Sequence, residues 1–185
     1  MVSFELLSGH DNWNEEDDLL DLKGNVQVTI NGEQLPSKFF PDGLEIQVYE
    51  TSFEFIDLLG NMLNHFKDEN SGKTAATFQA EFCYTGTYLG TTIQGPESID
   101  VSLLFNPAVV DDEKLLEGKQ FKENASLFTF ATEILGFCIG IVDSILEFKP
   151  SLEKKLEELQ IAILDYTEIL EKDFNVQIFP QEEES

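Results

Sequence analysis

Arginine is absent from the 185 residues, and all 11 basic side chains are lysine. Histidine and cysteine occur twice each, and tryptophan once. Each scarcity closes off a class of chemistry. Without a guanidinium, the bidentate clamp that usually holds phosphorylated or carboxylated substrates is missing. Positive charge is scarce overall: 36 Asp plus Glu outweigh 11 Lys, a net charge of 11 − 36 = −25. Nucleic acid is a poor partner for such a chain, because lysine and arginine must displace phosphate counterions. Anionic membrane is equally poor.

The two histidines, His10 and His65, have no second His or Cys at metal-ligand spacing, and both are expected on the surface. No nucleophile-elbow pattern occurs. The two cysteines, Cys83 and Cys138, are a weak frame for a disulfide and are expected as buried free thiols. An EF-hand loop begun at Asp11 would place Trp13 third and Glu16 sixth, where an oxygen donor and a glycine are required. Ser71-Gly72-Lys73-Thr74 looks like the end of a phosphate-binding loop. However, Lys67 stands where the first glycine belongs, and a helix pattern precedes it where a strand is needed. Gly86, Gly90 and Gly95 are too widely spaced for a dinucleotide fingerprint and suit a glycine-containing hairpin. No catalytic set, metal site or cofactor is therefore expected.

The N-terminus has no basic segment followed by an apolar run, so no secretory signal is read and a cytoplasmic location is expected. The most apolar stretch, Ser126 to Leu146, contains Glu133 and Asp143, and its uncharged core is shorter than the ~20 residues of a membrane span. It is expected as a buried helix.

Strong apolar patterning is present. Val26, Val28 and Ile30 alternate with polar residues and end at Asn31-Gly32, a tight-turn signal. Leu44, Ile46 and Val48 alternate likewise, as do Phe78, Ala80, Phe82 and Tyr84, and Ile99, Val101, Leu103 and Phe105. Further strands are indicated near 3–7 and 88–93. Thr51 and Glu54 have capping-box spacing, opening a helix over 52–66. Leu152, Leu156, Leu159, Ile163, Tyr166 and Leu170 form one helical stripe, and Leu127 to Phe148 forms another. Pro150 should end the first helix and Ser151 cap the second, giving an αα-hairpin over 125–172. A stripe of Thr129, Thr132, Gly136, Gly140 and Asp143 on the first of these helices predicts a close backbone contact. That contact would offset the roughly 1 kcal/mol each interior glycine costs. The fold class read from this order is α+β. It comprises one antiparallel sheet of roughly four to six strands, packed on one face by helices, with a C-terminal antiparallel αα-hairpin. Residues 1–185 form a single domain, with an acidic loop at 10–21, a strand-rich part at 25–105 and a short tail at 180–185.

Acidic residues are spread over the chain: 13 against 2 Lys in residues 1–60, 9 against 4 in 61–120, and 14 against 5 in 121–185. Self-repulsion on that scale destabilises a compact state, so a return through solubility or binding is expected. Complementary fields accelerate association with a basic partner. In composition and size the chain resembles immunity proteins, which implies capture of a basic toxin, such as a nuclease, by electrostatic occlusion. A DNA mimic that occupies a DNA-binding enzyme is a second reading. An enzyme with a cryptic acidic site and an adaptor subunit are further ones. The expected state is a monomer or weak dimer. Two contact surfaces are candidates: the wet sheet face, with Glu45, Gln47, Glu81 and Asp100, and the acidic loop, with Glu15, Glu16, Asp17 and Asp18 around Trp13. Tryptophan is favoured at interface hot spots; the alternative role for Trp13 is to plug the edge of the core.

Overall fold

The computed structural model describes residues 1–8, 13–35, 43–67, 75–95, 97–106 and 121–174. Among the described residues, eight strands and three long helices give the α+β class, with a C-terminal helix pair. The strands divide into two antiparallel sheets of four strands each, where the sequence suggested one. In the first sheet, β2 (Lys23–Ile30) is central. β1 (Ser3–Ser8) lies along one edge of it, while β3 (Glu33–Gln34) and β4 (Leu44–Gln47) share the other. The second sheet is a meander of β5 (Thr77–Phe82), β6 (Thr87–Ile93), β7 (Ser98–Phe105) and β8 (Lys122–Ser126).

The division between sheets has a local cause. Helix α1 (Val48–Lys67) follows β4 directly and then lies against β5. An edge strand needs acceptors for its outward N–H groups. Here α1 supplies them: Thr51 Oγ1 accepts from Cys83 N at 3.1 Å, and a Glu54 carboxylate oxygen accepts from Glu81 N at 3.3 Å. The edge of β5 is thereby closed to the first sheet. The expected capping box of Thr51 and Glu54 does not form, because both side chains serve β5. The helix starts four residues earlier, and Gln47 Oε1 accepts from Glu50 N at 2.5 Å in the capping role.

The C-terminal hairpin consists of α2 (Leu127–Phe148) and α3 (Glu153–Asp173), joined through a 3-10 turn at Pro150–Leu152. Pro150 ends α2 as expected, but Ser151 lies within that turn and does not cap α3. By length and composition alone α2 could cross a membrane; half of its most apolar window is buried inside the protein. It packs as the central helix, against α1, α3 and β1. Phe4 of β1 joins the layers. Its ring lies 5.2 Å from Phe55 of α1, 6.4 Å from Phe82 of β5, and 6.5 and 5.7 Å from Phe130 and Phe137 of α2.

The glycine stripe on α2 corrects an expectation. Gly136 and Gly140 are exposed, and nothing lies within 4 Å of where a Cβ would stand at either. The close approach occurs instead at Gly60 of α1, where a Cβ would meet the Tyr166 hydroxyl of α3.

Candidate functional site

The acidic loop is built into the fold. Trp13 is only 7% exposed; its indole N–H donates to the Lys23 carbonyl at 2.6 Å, and its ring lies edge-on to Phe148 at 5.5 Å. It plugs the edge of the core and offers no surface to a partner. Lys149, at the turn of the helical hairpin, donates to the carbonyls of Glu15 and Asp17 at 2.5 and 2.6 Å. Asp17 accepts from Asn14 N, and Asp18 forms a reciprocal cap with Asp21 on the 3-10 turn Leu19–Asp21. Asp18 also pairs with Lys155 at 2.5 Å, and that hydrogen bond holds its carboxyl below the ordinary carboxylate range. The Glu15 and Glu16 side chains remain exposed.

The four sheet candidates separate. Gln47 was expected on the wet face and is 2% exposed; it donates to the Leu19 carbonyl at 2.8 Å while capping α1. Period-two alternation breaks there because the strand ends at Gln47 and the helix turns its side chain inward. Glu45 pairs with Lys23 at 3.6 Å across the surface. Asp100 accepts hydrogen bonds from Asn124 and Gln94 and pairs with Lys122 at 3.4 Å. The Asn124 bond is the main cause of its lowered pKa. Glu81 has no lysine partner among the described residues.

Glu81 lies beside a group of carboxylates that have no described lysine partner. Glu54, whose carboxylate meets the Glu81 N–H, belongs to a row of Glu50, Glu54 and Asp57 at spacings of four and three on α1, one face of a helix. None of them pairs with a described lysine. Beyond Glu81, the β5–β6 turn presents Tyr84, 75% exposed and in the left-handed region at φ +70°. The neighbouring Glu50 carboxylate pushes the Tyr84 hydroxyl pKa up. Positive φ is uncommon for a bulky residue. The first helical turn also favours negative charge, since α1 begins at Val48. Among the described residues no three His, Cys, Asp or Glu side chains could hold a metal ion, so this ridge is a surface and not a coordination shell.

Sequence reasoning missed Glu50, Glu54, Asp57 and Tyr84. The helical spacing of the first three was visible. That no described lysine pairs with them depends on the packing of distant elements. His65 is not the surface residue expected: it lies half-buried between Phe66 and Phe78, with ring centroids 6.2 and 6.0 Å away. Both cysteines are free; burial pushes Cys138 up to about 12 and is the main cause that raises Cys83 to about 11. His10, Asp11, Ser71 to Thr74 and the tail at 180–185 lie outside the described residues. No protein-family model, curated protein or solved structure matches the chain.

Proposed function

We propose that this chain is an acidic protein-binding module acting in the cytoplasm, an immunity- or antitoxin-type inhibitor that captures a basic toxin or nuclease by covering its positive cleft. One observation carries the reading. Glu50, Glu54, Asp57 and Glu81 stand unpaired by any described lysine beside the exposed Tyr84, while the acidic loop and Asp100 are occupied by lysines and amides. Carboxylates already neutralised within the chain have little field left for a partner. Unpaired ones steer a basic surface toward themselves and raise the association rate by one or more orders of magnitude at low salt. Tyr84 supplies an aromatic face over which a lysine or arginine can stack, worth about 0.5–1 kcal/mol at an exposed site.

The test compares the chain with a Glu50→Lys/Glu54→Lys variant as bait in extract of its native cells at low ionic strength. A basic protein should be retained by the wild type, released as salt rises, and lost from the variant. With the purified pair, the association rate should fall at least about tenfold for the variant. Retention of no basic protein, or equal retention by both baits, removes the reading.

A further inference from the structure

Three of the large apolar side chains the fold leaves exposed lie on one side of the molecule. Leu20 is 60% exposed on the 3-10 turn, while Ile161 and Leu164 are 51% and 61% exposed on the outer face of α3. Leu20 and Ile161 line an open groove of about 650 Å³, together with Tyr49 of α1 and a rim that includes Glu157 and Glu158. Leu164 extends the same helix face one turn beyond Ile161. The groove is rigidly framed. Tyr49 stacks edge-on against Phe53 at 4.9 Å and reaches the Lys155 carbonyl, and Lys155 in turn clamps the turn carrying Leu20 through Asp18. Grouped exposed apolar side chains with a charged rim mark protein-interaction sites.

The charge around the groove selects its occupant. Tyr49 and Phe53 adjoin Glu50, Glu54 and Asp57 along α1, and helical spacing sets the carboxylate row on the face next to the one Tyr49 and Phe53 share. Lys155 is committed to Asp18, and among the described residues the rim sets one other lysine, Lys154, against Glu157 and Glu158. A second copy of a chain with net charge −25 would bring like charges together. We propose that the groove receives a lysine- or arginine-rich amphipathic helix of the partner, seating apolar side chains between Leu20, Tyr49 and Ile161 while its basic face lies on the ridge. This is the helix-in-groove mode, with anchors one helical turn apart. It deepens the functional reading above and rests on it. Burying a single leucine contributes about 1.5–3 kcal/mol, roughly ten- to hundredfold in affinity.

Two synthetic helical peptides of about 18 residues, or five turns, test the proposal by titration calorimetry with the full chain. They carry the same lysines; one has leucines along a single face and the other alanines there. The leucine peptide should bind at least about tenfold more tightly. Leu20→Ser/Ile161→Ser should bring it down to the alanine peptide's affinity without changing the salt dependence, and Ile161→Glu should remove its advantage over the alanine peptide. Equal affinity of the two peptides for the wild type, indifference to both groove variants, or no binding at all overturns the proposal. So does a dimer in sedimentation that Ile161→Glu dissociates, because a second copy would then fill the groove. Glu50→Lys/Glu54→Lys reports separately on the ridge. If that variant binds both peptides as the wild type does, the electrostatic reading fails even where the leucine contrast holds. If it weakens both peptides while the leucine contrast is missing, only the groove proposal falls.

Discussion

Gly136 and Gly140 occupy helical positions on the outer face of α2 with open space where a side chain would stand. Each carries the full conformational cost of glycine in a helix with no internal contact to offset it. Replacing either by alanine should stabilise the protein by about 1 kcal/mol, read as a higher urea midpoint with unchanged slope. Gly43 should respond oppositely. Its φ is +88°, and a Cβ would stand 2.8 Å from the Val26 carbonyl oxygen, on the backbone of the neighbouring strand. Gly43→Ala should therefore cost about 1–3 kcal/mol. The sequence shows all three glycines equally. The sign of each substitution comes from what stands opposite, and for Gly136 and Gly140 the helical stripe pointed to packing that the fold does not make.

At the scale of elements, the acidic loop and the hairpin turn hold each other. Lys149 binds two loop carbonyls, and Trp13, between them and β2, rests on Phe148. Lys149→Met leaves both carbonyls without their ammonium donor and should cost about 1.5–3 kcal/mol. Because Trp13 is the sole tryptophan, the detached loop should also red-shift the emission of the folded protein; an unshifted spectrum would show that the loop holds without Lys149. Legibility differed among elements for physical reasons. β2, β4, β5 and β7 bury alternate side chains, and α2 and α3 each show a clear stripe, so their periods could be read. β8 (Lys122–Ser126) alternates only between exposed and partly exposed residues. It is a polar edge strand held by pairing with β7, which leaves no apolar signal. The start of α1 was misplaced because Thr51 and Glu54, a good local cap, are drawn to the edge of β5.

At the scale of the molecule, a net charge of −25 opposes compaction. Salt screens that repulsion, so the melting temperature at pH 7 should rise between about 0.02 and 0.5 M NaCl. A fall would mean that pairs such as Lys155–Asp18 outweigh it. The pH response should have two limbs. Burial raises the pKa of Glu133, so its ionised form burdens the fold above that raised value, and the burden lifts as pH falls toward its ordinary 4.5. Reduced net repulsion acts in the same direction. Asp18 and Asp100, held down by bonds from Lys155 and Asn124, act oppositely. Their contribution is present above the ordinary carboxylate value of 3.8 and is lost as pH falls through their lower folded values. Stability should rise as pH is lowered toward about 4.5 and fall again below about 3.8, which thermal melts between about pH 7 and 3 will check.

The sequence by itself determined the α+β class, the helical hairpin, the sign of the charge and the absence of a recognisable catalytic motif, because each depends on composition or on a period along the chain. The tertiary structure alone decided that the strands form two sheets and that Trp13 and Gln47 are interior. It also decided which carboxylates are neutralised. Lys149 and Lys155 lie more than a hundred residues from the acidic loop they clamp, and only folding brings them there. Of 36 acidic side chains alike in sequence, those near such lysines are bound into the fold, while Glu50, Glu54, Asp57 and Glu81 pair with no described lysine.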